Sequence, residues 1–242
     1  MSLLTRAEAT RYEETSRHAD VMAFIAGLEA KGDRRLHATS FGRSPQGREL
    51  PLLVLSAHGV KTPEEARALD RPVVLVISGI HAGEVEGKEG CLMLVRDLLE
   101  GRPGLDADQL LADLTLVVVP LFNPDGNDAI DPGNRKLQLP KLSGQLGPDS
   151  GVGTRVNAAK INLNRDYLRM QGEEMRLLQT RVCQPWAPDL TIDNHATNGS
   201  VHRFSMTYDI PHTVERGRGE PIEYMRTRLL PPVAAAPKSN HG

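Results

Sequence analysis

The sequence predicts an α/β fold built around a sheet that contains parallel strands. Two continuous apolar runs, residues 72–79 and 114–120, have the character of strands that are buried on both faces, as parallel strands usually are. A third candidate strand covers residues 189–193, and segments of helical periodicity lie between the three. Strands that alternate with helices along a chain are typical of α/β folds.

Length and composition limit the kind of protein. A chain of 242 residues is long enough for one large domain or two small ones with a sizeable core. The 29 Lys and Arg residues against 31 Asp and Glu residues give a formal net charge of −2, without the basic excess of a dedicated nucleic-acid binder. No apolar run approaches the length of a membrane span. We therefore expect neither a nucleic-acid partner nor a membrane partner.

The cysteines and the N-terminal segment bear on cellular location. Cys91 and Cys183 are too few to hold a fold of this size by disulfides, and we expect both to be reduced thiols. The N-terminal segment contains no apolar stretch typical of a signal peptide. A cytoplasmic location is the default expectation, and the native location stays open.

The N-terminal part of the chain predicts helices followed by a hairpin. A capping-box sequence at residues 5–8 marks a helix start, and apolar residues recur at helical spacing between 21 and 28. Residues 36–41 and 50–56 predict two strands. The turn-forming sequence at 44–47 indicates that these strands form a hairpin.

The remainder alternates regular elements with irregular segments. Helical patterns cover about 86–99 and 173–183. Residues 121–160 are rich in Gly, Pro, Asn and Asp without a clear period, and a loop of this length is usually functional or disordered. The Pro- and Ala-rich residues 231–242 predict a disordered tail, which leaves residues 1–230 as the folded domain.

Two candidate strands end in residues that can bind a metal ion. The first strand is followed by His81 and Glu84 in a His-x-x-Glu motif, and the third candidate strand is followed by His195. Ligands of open α/β sheets bind outside the carboxyl ends of the strands, so these side chains converge if the two strands are neighbours. Two histidines and one glutamate form a known ligand set of catalytic zinc, with the fourth position open.

Each part of this candidate site has a structural alternative when it is taken alone. His-x-x-Glu is a weak signal, and such residues often form a polar helix cap. A histidine after a strand is more often a satisfied structural residue than a ligand. The combination is more informative, because both parts follow candidate buried strands.

Four short motifs stand in the order that is found in the zinc carboxypeptidase (M14 metallocarboxypeptidase) family, and the chain resembles this family between residues 42 and 209. The motifs are His81-x-x-Glu84, Asn123-Pro-Asp-Gly126, Asn164-Arg165 and Asp193-Asn-His195. The resemblance implies a three-layer sandwich, with a mixed, mostly parallel sheet between helices. It also implies a zinc-dependent hydrolase that removes C-terminal residues from peptides.

The resemblance also implies roles for individual residues. One zinc ion per chain is expected on His81, Glu84 and His195. Asn164 and Arg165 resemble the pair that binds the terminal carboxylate of the substrate, which suits a guanidinium fork; the alternative for Arg165 is a surface salt bridge. Arg135 resembles the arginine that stabilises the oxyanion, and a solvated loop cation is an equal alternative at that position.

The chain departs from the family pattern at two places. Many members carry an aspartate two residues before the Asn-Arg pair, where this chain has Asn162; its amide oxygen can accept an imidazole N–H but adds no charge. The family's general base is a glutamate on a strand well downstream of the last zinc ligand. Glu215, Glu220 and Glu223 follow His195 here, but none lies in a convincing strand. We therefore expect the C-terminal part of the domain to be missing or degenerate, and no general base is identifiable.

Three functions follow from these observations and stay open. The first is a zinc metallocarboxypeptidase, the second a zinc amidase or deacylase on small N-acyl amino acids, and the third an inactive zinc-binding fragment. The expected partner is accordingly a peptide or an N-acyl amino acid. A sheet that has lost a strand exposes an unpaired edge, so self-association through that edge is a further expectation. The resemblance adds that similar enzymes are often exported.

Overall fold

A computed structural model of the chain gathers the predicted strands into one five-stranded sheet. The structure describes residues 3–141, 144–145, 147–196, 207–210 and 219–235. The chain divides into two compact units, Met1–Ser200 and Val201–Gly242, and the sheet belongs to the first.

The sheet is mixed. Its strands are β1 (Leu36–Arg43), β2 (Glu49–Leu55), β3 (Val73–Ser78), β4 (Thr115–Val119) and β5 (Leu190–Asn194), in the order β1-β2-β4-β3-β5. Strands β1 and β2 form the predicted antiparallel hairpin, and β2 is also antiparallel to β4. Strand β3 runs parallel to β4 on one side and to β5 on the other. Only β2 therefore runs against the other four strands, which confirms the mixed, mostly parallel sheet.

Helices precede, connect and follow the strands. In the first unit they are α1 (Arg6–Ala9), α2 (His18–Glu29), α3 (Pro63–Ala68), α4 (Glu86–Glu100), α5 (Ala107–Asp113), α6 (Pro124–Asp128), α7 (Glu173–Leu177) and α8 (Gln184–Trp186). A π-helical segment, Leu178–Cys183, makes α7 and α8 continuous. The predicted capping box is present, but α1 is a single turn. Within the described ranges, no helix is long and apolar enough to cross a lipid bilayer.

The sheet separates two apolar cores, because successive side chains of a strand point to opposite faces. Leu75 and Ile77 of β3 pack in one core, with apolar residues of α7 and α8. Val76, between them, belongs to the other core, which α2, α4 and α5 cover. Helices thus lie on both faces of the sheet, and the three-layer sandwich is confirmed.

Strand β5 differs from the expectation of a strand buried on both faces. Thr191, Ile192 and Asp193 are exposed, and Ile192 keeps 43% of its accessible surface. Among the described strands β5 pairs with β3 alone, so no neighbouring strand covers its other side. The expectation was wrong because the sequence of such a short strand does not reveal which strands and helices lie beside it.

The second unit contains α9 (Gly219–Tyr224), a π-helical segment (Met225–Leu229) and α10 (Leu230–Ala235). Residues 231–235 of the expected tail are therefore helical. These residues continue the helical conformation of Met225–Leu229 without a break, and alanine favours helix formation, which accounts for this difference. The division of the chain at residue 230 stays a prediction.

Candidate metal centre

The end of β3 sets the positions of His81 and Glu84. Gly79 follows the strand with a φ of +70°, a left-handed conformation that glycine adopts without steric cost, and this residue turns the chain. The backbone N–H of Glu84 then donates to the carbonyl of His81 at 2.9 Å, which closes a tight turn before α4 begins. Both side chains are buried, each about 3% exposed.

The pairing of β3 with β5 brings His195 to the same place. The two strands are parallel, and Ser78 at the end of β3 lies opposite Asn194 at the end of β5. Nδ1 of His195 lies 3.0 Å from Oε2 of Glu84, and Nδ1 of His81 lies 3.1 Å from Oε1 of the same carboxylate. The two imidazole ring centres are 5.0 Å apart. The predicted convergence of three residues is therefore present.

This arrangement fits a zinc ion by the chemistry of its donors. One ligand atom from each of the three residues lies within 4.8 Å of the others. The remaining nitrogen of each ring has an oxygen partner: Nε2 of His81 lies 3.1 Å from Oδ1 of Asn162, and Nε2 of His195 lies 3.1 Å from Oδ2 of Asp193. Such partners fix the tautomer and the orientation of a metal-binding histidine. The amide oxygen of Asn162 thus occupies the position that the sequence analysis assigned to it.

The charges around Glu84 favour its ionised form. Burial by itself raises the pKa of the carboxyl, but hydrogen bonds with His195 and His81 outweigh burial and hold the pKa well below its usual range. The same contacts act on His195: hydrogen bonds with Asp193 and with Glu84 raise the pKa of the imidazole to about 9. In the metal-free protein at neutral pH, Glu84 is therefore a carboxylate and His195 carries a proton.

Arg135 lies at the site and not in solvent. Its Nη2 donates to Oε1 of Glu84 at 2.8 Å, and its Nε donates to Oε1 of Gln145 at 3.0 Å. The side chain is only 7% exposed. Gln145 in turn donates from its amide to the carbonyl of Gly83, inside the His-x-x-Glu motif. The expected functional loop at 121–160 therefore reaches the candidate site through Arg135.

Asn164 and Arg165 form a short 3-10 turn, Leu163–Arg165, beside the site. The backbone N–H of Asn164 donates to Oδ1 of Asn162 at 3.1 Å, the oxygen that also contacts His81. Arg165 is exposed, and its Nη1 donates to the carbonyl of Asn164 at 2.8 Å. No described carboxylate forms an ion pair with Arg165, so the salt-bridge alternative has no support in this part of the chain.

Arg155 is a site residue that the sequence analysis missed. Its Nη1 lies 3.4 Å from Nδ1 of His81 and 3.8 Å from Oε1 of Glu84. Burial lowers the pKa of this guanidinium, and the charges of Arg135 and Arg165 lower it further. Arg155 lies in the irregular loop that also carries Arg135, where no periodicity distinguishes one arginine from another. The only signal for Arg155 in the sequence was its position as a basic residue shortly before the Asn164-Arg165 pair.

The side chains of the Asn-Pro-Asp-Gly motif make structural hydrogen bonds, and none of those in the described part of the chain is made to His81, Glu84 or His195. Oδ1 of Asn123 accepts a hydrogen bond from the N–H of Gly126 at 3.0 Å and caps α6. The buried Asp125 accepts hydrogen bonds from Ser44 at 2.7 Å and from Arg48 at 2.8 Å. The motif therefore joins the turn of the β1–β2 hairpin to the loop after β4.

The glutamates that follow His195 belong to the second unit or lie outside the described residues. Glu220 and Glu223 are exposed on α9 of the second unit, and Glu215 lies outside the described residues. The described carboxylates that contact the two histidines are Glu84 and Asp193.

Comparison with known proteins gives a consistent result. The family model described as zinc carboxypeptidase matches residues 21–191. Carboxypeptidase Z of Homo sapiens is 32% identical over 171 residues, which are 68% of this chain and 24% of that protein. Carboxypeptidase D of Drosophila melanogaster is 30% identical over 163 residues, which are 66% of this chain and 10% of that protein. The chain thus spans at most about a quarter of these relatives.

Solved structures show the same fold. A metallo-carboxypeptidase from Pseudomonas aeruginosa, in complex with (2-guanidinoethylmercapto)succinic acid, has a TM-score of 0.53 and 23% identity, and the match covers 76% of this chain and 40% of that one. A metallo-carboxypeptidase from Burkholderia cenocepacia has a TM-score of 0.53 and 22% identity, and covers 74% of this chain and 40% of that one. At these identities the similarity establishes the fold.

Proposed function

The chain belongs to the zinc carboxypeptidase family, and from this premise we propose that it serves zinc-dependent hydrolysis of C-terminal peptide bonds. One zinc ion per chain is held by His81, Glu84 and His195. The observation that carries the proposal is the approach of the two Nδ1 atoms to the two oxygens of Glu84, at 3.1 and 3.0 Å. When bound at such a ligand set, zinc polarises a carbonyl and activates water.

The chain's own residues prepare this centre. Asn162 and Asp193 hold the outer nitrogens of the two imidazoles, so that both Nδ1 atoms face the Glu84 carboxylate. Arg135, buried against Glu84, keeps the carboxylate ionised and oriented. Metal binding would require neutral imidazoles, so His195 would release its proton to solvent on binding the ion.

Exposed groups beside the centre bind the substrate. Asn164 and Arg165 dock the terminal carboxylate, because the guanidinium of Arg165 is open to solvent and has no carboxylate partner in the described residues. Arg155 is partly exposed and adjacent to His81, so it is the arginine that can reach the scissile carbonyl and stabilise its developing negative charge. Arg135 is buried against Glu84, and its part in that stabilisation is indirect.

The first experiment measures zinc per chain in the purified protein, with His195→Ala as the control. We expect about one equivalent in the wild type and a loss of zinc in the variant. A folded wild type that binds no zinc would contradict the proposal.

The second experiment compares turnover of a blocked dipeptide with turnover of an N-acyl amino acid. Faster release from the dipeptide supports a carboxypeptidase, and faster release from the N-acyl amino acid points to an amidase. A protein that binds zinc but turns over neither is an inactive zinc-binding domain.

The role of Arg165 has its own test. We expect Arg165→Ala to raise KM by roughly tenfold or more with a smaller effect on kcat, because a charge-assisted hydrogen bond to the bound carboxylate is lost. Arg169→Ala is the matched control, since Arg169 is an exposed arginine of the same segment. An unchanged KM in Arg165→Ala would contradict the docking role.

A further inference from the structure

Helix α7 contains a buried carboxyl group that the proposed mechanism does not use. Glu174 is 0% exposed, and its Oε2 accepts a hydrogen bond from Nδ2 of Asn157 at 2.9 Å. Its Oε1 has no hydrogen-bond partner in the described part of the chain. A buried polar atom without a partner is unfavourable, so an apolar side chain would fit this position at a lower cost in stability. The carboxyl therefore calls for a local explanation.

Asn157, the partner of Glu174, organises a tight turn. Its Oδ1 accepts a hydrogen bond from the N–H of Ile161 at 2.9 Å, and its own N–H donates to the carbonyl of Ile161 at 3.0 Å. Lys160 within the turn has a φ of +62°, which L-residues adopt only when other contacts hold the backbone. The Asn157–Glu174 hydrogen bond ties this turn to α7.

The turn leads directly into the candidate metal centre. Asn162 follows it, and its Oδ1 contacts Nε2 of His81 at 3.1 Å and accepts the N–H of Asn164 at 3.1 Å. At the other end of the segment, the buried Asp166 accepts the N–H of Gly172 at 2.7 Å, immediately before α7. The segment that carries Asn162, Asn164 and Arg165 is thus fastened to the start of α7 on both sides.

We propose that Glu174 is a positioning residue of the metal centre. Through Asn157 it fixes the turn that sets the place of Asn162, and Asn162 orients His81. The significance of this role for catalysis rests on the function proposed above. The contacts themselves do not depend on that function, and part of the test measures them without metal.

The Oε2 atom of Glu174 acts as a hydrogen-bond acceptor in a buried setting that does not favour a charge. Burial raises the pKa of Glu174, and the nearby charges of Asp125 and Glu173 raise it as well. Glutamine has nearly the same shape and also offers an oxygen to Nδ2 of Asn157. It therefore replaces Glu174 closely without carrying a charge.

The experiment compares Glu174→Gln with Glu174→Met. Glu173→Gln is the control. Glu173 is the residue next to Glu174, but it is exposed and forms an ion pair with Arg176. Hydrogen–deuterium exchange of the metal-free proteins reports on the turn, and a chelator competition gives the Kd for zinc. In Glu174→Met we expect exchange at the amides of Ile161 and Asn164 to accelerate on the order of tenfold, with β3 and β4 unchanged.

The same variant should bind zinc roughly tenfold more weakly or worse, as is usual when a residue that supports a metal ligand is lost. Glu174→Gln and Glu173→Gln should stay within about threefold of the wild type in both measurements. Rescue by glutamine distinguishes positioning through a hydrogen bond from simple filling of the core.

Two results would overturn the inference. The first is wild-type exchange and wild-type zinc affinity in Glu174→Met, and the second is equal damage in Glu174→Gln and Glu174→Met. If Glu174→Met does not fold, Glu174→Asp withdraws the carboxyl from Asn157 by one methylene and takes its place in both measurements. A wild type without zinc affinity would refute the proposed function, and the exchange data alone would then decide whether Glu174 holds the turn.

Discussion

Glu84 and Glu89 are two buried carboxylates on either side of the first residues of α4, and their surroundings differ. Glu89 accepts hydrogen bonds from the hydroxyls of Thr15 and Ser16, both at 2.9 Å, and from the N–H of Ser16 at 2.6 Å. Glu84 instead contacts imidazole nitrogens and a guanidinium. Hydroxyl and amide donors hold a carboxylate in one position, whereas imidazoles can bind a metal ion together with the carboxylate.

The hydrogen-bond partners of each carboxylate therefore determine its role. Around Glu89, Lys88 donates to the carbonyl of Ser16 and to Oδ1 of Asn127, so the polar cluster fastens the N-terminal segment to α4 and α6. All of these groups are buried. Around Glu84, His195 is partly exposed and the cluster opens to solvent. One cluster stabilises the fold, and the other can exchange its hydrogen bonds for metal ligands.

The largest expected effect is a difference in zinc affinity between variants of the two carboxylates. Glu84→Gln should weaken zinc binding by at least about a hundredfold, because one of three protein ligands is lost. Glu89→Gln is the matched control and should stay within about threefold, because it leaves the ligands in place. Chelator competition measures both variants. Equal losses in the two would show that the clusters do not differ as described.

The second effect concerns stability. Glu89→Gln should lower the free energy of unfolding by about 3 kcal/mol, because it leaves the buried Lys88 ammonium without its nearby carboxylate. Urea unfolding of the metal-free protein measures this change. A loss below about 1 kcal/mol would mean that the Lys88–Glu89 cluster does not hold the N-terminal segment firmly to α4 and α6.

The third effect depends on pH. Burial lowers the pKa of Lys88 to about 8, whereas the unfolded chain keeps the ordinary value of 10.5. Below pH 8 both states carry the charge. Between these values the folded state releases its proton first, so the unfolded state binds more protons and stability rises with pH.

Lys88→Met should remove this rise, which amounts to a few kcal/mol at most, on the order of 2 or 3. Unfolding of both proteins by urea at several values between pH 7 and 10.5 measures the difference. Parallel pH profiles for wild type and variant would contradict the prediction.

The smallest effect refines the description of the metal centre. His81 has a neutral partner in Asn162, and His195 has a charged one in Asp193. Asn162→Asp should tighten zinc binding several-fold, up to about tenfold, since a carboxylate makes the imidazole a stronger ligand. Asp193→Asn should weaken it by roughly tenfold or more for the same reason. Changes of the opposite sign would show that these side chains do not act through the imidazoles.

Much of the fold was predictable because many of its elements are determined by short stretches of sequence. The apolar runs of β3 and β4, the hairpin turn and the capping box of α1 each depend on a few neighbouring residues. The sequence analysis expected β5 to be buried, and this was wrong. Burial of a strand depends on the elements that pack beside it, and these cannot be identified from the residues of the strand itself.

The sequence by itself determined the chemical types at the site: two histidines and one glutamate after strands, with an Asn-Arg pair and arginines in the loops. Only the tertiary structure decided which of these residues meet. The pairing of β3 with β5 brought His195 to Glu84. The long loop brought Arg155 to His81 and buried Arg135 against Glu84, and it joined Asn157 to Glu174. These contacts join residues far apart in the chain, so local patterns hold no information about them, and packing of the whole domain selects them.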